Sequence, residues 1–213
     1  MTINLLSGAF LLSAVLVLHR RELTAVVRIV VAQGVLLAGI AMALGVHLRD
    51  VEMCLVAVGV LVLKAVVVPL VLQRAVRNGA DAREARPLVN VPASMVAATL
   101  LVLVAFLASR PLISLSPTPA GRAVPVGVAV MLLGFFTLVS RRRALSQVVG
   151  FLLLDNGISA TAFLLTGGVP LVVELGVSLD VLLVVIVLQV LTARMQSLHG
   201  RTDLDELREL RDS

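Results

Sequence analysis

The chain contains no tryptophan, no tyrosine and a single cysteine, Cys54, and only 15% of its residues are charged. Each shortage excludes something. One cysteine inside an apolar run rules out an internal disulfide and any CxxC site for a metal or an iron–sulfur cluster. Without tryptophan or tyrosine the usual interfacial aromatic belt is missing, so arginines must anchor the chain at the membrane surface. A charged fraction well below the roughly 25% of soluble domains leaves too little polar residue to solvate a globular surface. His19, His47 and His199 stand apart with no second ligand at metal spacing, and no phosphate-binding glycine loop or nucleophile motif occurs. The sequence carries no catalytic centre of its own.

What it has instead is apolar length: 59% of its 213 residues are hydrophobic, and the mean hydropathy is +1.07. Apolar runs of about 18 to 23 residues recur along the whole chain, which predicts an all-α polytopic membrane protein. About seven spans are expected, near residues 3–18, 23–46, 51–73, 92–109, 123–140, 145–166 and 170–193. The first has its positive charges, Arg20 and Arg21, after the apolar run, so it reads as an uncleaved helix rather than a signal peptide. Pro69 near the end of the third span predicts a kink that frees a carbonyl. Pro111, Pro117 and Pro119 predict an irregular loop over 110–122.

The net charge of +5 resides largely in the connections, where it sets topology and does not mark a nucleic-acid surface. Arg20-Arg21, then Arg74, Arg77, Arg83 and Arg86, then Arg141-Arg142-Arg143 and the tail arginines fall on one side; Arg49, Arg110 and Arg122 fall on the other. This predicts the N-terminus outside, the C-terminus in the cytoplasm and an odd number of spans. The tail over 196–213 reads as a short amphipathic helix with Leu204, Leu207 and Leu210 on one face.

Sliding the chain by 122 positions lays LVLHRRELTAVV over LVSRRRALSQVV without gaps. Arg20 falls on Arg142, Arg21 on Arg143, Gln33 on Asp155, Gly45 on Gly167 and Glu52 on Glu174. Coincident arginine pairs and glutamates carry more weight here than apolar matches. The pattern predicts a parallel duplication of a three-helix unit. The expected organisation is a first repeat over 1–73, a polar loop, linker helix and proline-rich loop over 74–122, a second repeat over 123–195, and the tail.

Ionisable residues inside such spans are costly, each central carboxylate adding roughly 2.5 to 3.5 kcal/mol to insertion. Asp155 and Asp180 lie about 15 Å from both ends of their spans, at mid-membrane. Two readings of each stand open: a protonatable station in a proton path, or a carboxylate satisfied by a neighbouring helix. Glu52 and Glu174 lie within a turn of the outer surface, where snorkelling accommodates them. Lys64 sits deep in its span, and Gln33 takes the mid-membrane position that the repeat pairs with Asp155. Asn156 and Gln189 read first as hydrogen-bonding glue between helices.

The segment from Ser140 to Ser197, with its LLDNGI and PLVVELGVSLDVL runs, resembles the C-terminal part of hydrogenase-4 component E, a membrane subunit of group 4 [NiFe] hydrogenase complexes. More distantly, residues 123–196 are similar to the three-helix K (4L) subunit of complex I and the C subunit of Mrp-type antiporters. Asp180 falls close to the third-helix glutamate of the K subunit. In the second helix the family's glutamate position falls on Leu152, and Asp155 lies about one turn further on. The resemblance implies a non-redox membrane-arm subunit in a bacterial or archaeal cytoplasmic membrane. It would sit between antiporter-like and hydrogenase- or quinone-proximal subunits, which would hold any [NiFe] centre and iron–sulfur clusters. Asp155, Glu174 and Asp180 would then be the principal proton-path residues, joined by Glu52, Lys64 and Gln33 from the first repeat. Three other functions fit the residues: a subunit of a cation/proton antiporter without redox partners, a stand-alone secondary transporter, and a structural spacer.

Overall fold

The computed structural model describes residues 2–20, 22–70, 89–115, 118–141 and 144–166. Six helices in it are long and apolar enough to cross a membrane. They are α1 (Thr2–His19), α2 (Leu23–Leu48), α3 (Val51–Val62, running on through a π-helical turn, Leu63–Val67), α4 (Val91–Ala108), α6 (Val124–Ser140) and α7 (Ala144–Thr166), with a short α5 (Arg110–Leu115) between α4 and α6. No β-strand occurs among the described residues. This is a multi-pass helical membrane protein, as the apolar runs predict. The seventh predicted span and the tail lie outside the described residues.

Polar residues at the helix ends punctuate the apolar runs. Between α2 and α3, Arg49 takes the left-handed conformation with φ 54°. Its N–H donates to Val46 O and that of Asp50 to Gly45 O, which closes α2 with the paired bonds of a Schellman ending. Asp50 then opens α3, its carboxylate accepting from the N–H of Glu52 at 2.9 Å and of Met53 at 3.4 Å. One two-residue turn thus ends one helix and starts the next, leaving α2 and α3 packed along their length. Asp50→Ala removes this cap and is expected to lower stability by about 1 kcal/mol, read as a lower thermal midpoint in detergent. Asn90 caps α4 in the same way, accepting from Ala93 N at 3.0 Å.

Two prolines act differently from the sequence expectation. Pro69 does not simply kink α3. Lacking an N–H and crowding the carbonyl four residues back, it is preceded by the wider turn of Leu63–Val67, in which Val68 N–H reaches Leu63 O. The loop over 110–122 is also not irregular throughout. Arg110–Leu115 is helical because Pro111 sits in its first turn, where a missing N–H costs nothing, and Gly121–Ala123 forms a 3-10 turn.

The tightest contact is between α6 and α7. A Cβ placed on Gly134 would collide with the backbone of Leu154, and one on Gly157 with the backbone of Met131. On Gly150 it would lie 2.5 Å from Leu138 N. Small residues facing a neighbouring backbone let membrane helices approach closely, where dispersion replaces the hydrophobic effect that lipid does not supply. Around this hairpin α1 packs on α2 and α6, α2 on α3 and α7, and α4 on α6 and α1. α4 is peripheral: Val96, Leu100 and Leu103 are each more than half exposed, as a lipid-facing surface requires.

Candidate functional site

Five polar side chains converge where α2, α3 and α7 meet. Asp155 lies eleven residues from each end of α7, about 16 Å along the axis. Lys64 comes from the π turn of α3, and its ammonium nitrogen stands 2.8 Å from Asp155 Oδ2 and 3.4 Å from Ser159 Oγ. Lysine and aspartate side chains are only 7% and 6% exposed. Beside them, Asn156 Nδ2 donates to Gln33 Oε1 of α2 at 2.9 Å. Gln33 is completely buried, and its Nε2 has no hydrogen-bond partner among the described residues.

Local structure explains the convergence. Gly34 on α2 has its would-be Cβ 2.8 Å from Lys64 Cβ, so only a glycine there lets α3 approach closely enough to seat the lysine stem. Asp155 and Ser159 are one turn apart on α7 and share a face, which lets both receive the ammonium. Lys64, Asp155 and Asn156 line a cavity of about 10 Å³, room for roughly one water molecule, with Leu152 and Val30 as apolar wall. Leu152 is three residues before Asp155, so a carboxylate at either position reaches the same cavity.

A buried carboxylate and ammonium at 2.8 Å form a unit whose total charge is zero, and that is what makes its burial tolerable. The unit remains neutral when the proton lies on either partner. Its proton content can change only with a compensating charge nearby.

Of the residues singled out by sequence, the structure brings together Asp155, Lys64 and Gln33. Glu52 is exposed in the first turn of α3, twelve residues and about 18 Å from Lys64, and does not join the cluster. Glu174 and Asp180 lie outside the described residues. Ser159 was legible only as a serine in an apolar run; its i, i+4 spacing from Asp155 was the available signal. Asn156 does bond across helices, as its residue type suggested.

These features define a polytopic helical membrane protein with a buried charge pair between its N-terminal and C-terminal helices. Comparison with known proteins gives its relatives. The chain is 48% identical over 211 residues to the uncharacterized protein Rv0085 of Mycobacterium tuberculosis, covering 99% of this chain and 96% of that protein. It is 26% identical over 211 residues to hydrogenase-4 component E of Escherichia coli K12, covering 99% and 98%, and equally to that of Shigella flexneri. The chain is homologous to hydrogenase-4 component E, and the likeness extends over its whole length rather than resting on the C-terminal half. No family model matches it. No solved structure matches it either.

Proposed function

We propose that this chain is a non-redox membrane-arm subunit of a hydrogenase-4-type, complex-I-like oxidoreductase, and that Lys64 and Asp155 form a proton relay within it. The buried Lys64–Asp155 pair at mid-membrane carries this reading. A structural spacer of this composition has no need of ions there, since an apolar pair of similar volume is commonly as stable or more so. Charge balance sets how the relay works. In low dielectric only the neutral pair is cheap, so a proton arriving at Asp155 must be matched by one leaving Lys64. Ser159 offers the proton leaving the ammonium a second oxygen, and the water-sized cavity offers a carrier. The Gln33–Asn156 amides align this face of α7 against α2. Glu174 and Asp180 extend the path along the last predicted span, and Glu52 serves its outer end. Antiporter-like and hydrogenase-like subunits are the partners in this reading, with nickel and iron–sulfur centres held by them. The arginine distribution supports an external N-terminus and a cytoplasmic C-terminus.

The test has two stages. Affinity purification of the tagged chain in mild detergent, with mass spectrometry, is expected to recover antiporter-like and hydrogenase-like subunits together. The double variant Lys64→Gln/Asp155→Asn keeps polar atoms and volume while removing both titratable groups. It is expected to assemble and to retain electron transfer while losing proton translocation in inverted vesicles. Translocation at the wild-type level in that variant would refute the relay. Recovery of antiporter subunits with no redox protein would refute the oxidoreductase assignment.

A further inference from the structure

The seam that closes α6 against α7 has an open counterpart on the first two helices. On that seam Gly134 meets Leu154, Gly150 meets Leu138 and Gly157 meets Met131, each glycine against backbone. Moved back by 122 positions, the shift that aligns the two arginine turns, the pairs fall on Leu12 and Ala32, Arg28 and Leu16, and Val35 and Ala9. All six of these residues are exposed. α1 and α2 are neighbours in nearly the same antiparallel register: a Cβ on Gly39 would lie 3.5 Å from Leu6, where the later helices set Gly127 against Thr161. Leu12, Arg28 and Val35 stand where the later helices have glycine, so these two faces cannot close on each other as α6 and α7 do. They are turned outward instead. Arg28 gives the surface its character. It stands five residues from Leu23, the first of α2, or about 7.5 Å into the helix. It is exposed among apolar neighbours and makes no ion pair or hydrogen bond among the described residues.

We propose that this face of α1 and α2 docks a transmembrane helix of a partner subunit, one that carries an aspartate or glutamate at the depth of Arg28. Within this same chain the corresponding faces of α6 and α7 are covered by helix, at backbone contact. Ala9 and Ala32 offer a shallow seat for a helix, and nothing lies within 4 Å of a Cβ placed on Gly8 beside them. The charge decides the partner's chemistry. A guanidinium inside a span is costly without a counter-charge, and a carboxylate supplies one in the planar geometry that arginine pairs with best. Arg20 and Arg21 already anchor this end of the bundle at the membrane surface, so an α2 turned to lipid alone has no need of a third arginine deeper in the span. A second copy of the chain is disfavoured. Meeting this face about a twofold axis along the membrane normal, it would set two Arg28 guanidiniums at one depth, like charge against like. The docking shares with the proposed function the premise of a membrane partner, and holds whether or not that partner is part of a redox complex.

The test uses the full-length tagged chain in its native membrane. A photoreactive amino acid is placed at Leu12 or at Ala32, the membranes are irradiated, and the crosslinked peptides are sequenced by mass spectrometry after purification in mild detergent. Both positions are expected to capture one transmembrane helix of a co-purifying subunit, with an aspartate or glutamate within a turn of the residue captured from Ala32. Arg28→Glu is expected to lower recovery of that subunit at least about tenfold, and replacing the subunit's carboxylate by arginine to restore it. Ala32→Phe adds bulk to the seat without changing charge and should also lower recovery, which keeps the test valid if Arg28→Glu fails to insert. Both residues are exposed, so neither change should lower the melting temperature of the isolated chain. Crosslinks only to lipid, to a second copy or to residues 170–193 of the same chain would overturn the docking face. So would recovery unchanged by both substitutions; a complex that still assembles in both leaves the proposed function standing and removes this face alone. Recovery of no membrane subunit at all would remove both.

Discussion

Replacing Lys64 alone with methionine is expected to destabilise the protein by about 3 to 5 kcal/mol, because it strands a buried carboxylate without its counter-charge. Asp155 is 4% exposed and cannot turn to solvent, so relief must come from protonation or from local opening of the α3–α7 contact. The double replacement Lys64→Met/Asp155→Leu should recover most of that loss, since two apolar side chains of similar volume fill the space without desolvation cost. A double-mutant cycle isolates the pair. The readout is the folded fraction of detergent-solubilised protein under a denaturing-detergent titration. A single variant as stable as the double would show that no buried charge pair operates. This measurement also separates structure from function: the double variant is stable but has no titratable group left for a relay.

The second large effect concerns the α6–α7 hairpin. Gly157→Ala or Gly134→Ala puts a methyl group into the backbone of the opposite helix, where no side-chain rotation gives relief. The helices must separate, and the cost is expected at or above the upper end of overpacking, about 3 kcal/mol. Because Asp155 sits beside both contacts on α7, such a shift should also loosen its 2.8 Å pairing with Lys64. Gly8→Ala is the control, since nothing lies within 4 Å of its would-be Cβ, and it should cost little. Comparable losses at Gly8 and Gly157 would contradict the close helix approach.

The residues of the charge cluster were individually legible. Asp155, Lys64 and Gln33 stood out because polar groups deep in apolar runs are costly, and that cost is a property of each residue in its own span. Their partners were not legible. Lys64 and Asp155 are separated by 91 positions in the chain and Gln33 and Asn156 by 123. No local pattern relates residues so far apart. Pro69 was recognisable as a disturbance of α3. That the disturbance takes the form of a π turn presenting Lys64 to α7 depends on Gly34 admitting the lysine stem. The loop over 110–122 was misread because three prolines suggested irregularity, whereas Pro111 occupies a first helical turn that tolerates it.

Membrane-spanning helices, their approximate ends and the presence of buried ionisable groups follow from the linear chain, because lipid forces each apolar run to satisfy its own backbone hydrogen bonds within one segment. Side-chain type alone therefore sets these features, residue by residue. Which helix faces which does not follow, because lipid is as apolar as the helices and hydrophobicity gives no preference among neighbours. That choice rests on shape: the glycines that bring α6 against α7 and α2 against α3, and the alignment this creates between one ammonium and one carboxylate. The charge pair is a property of the packed bundle.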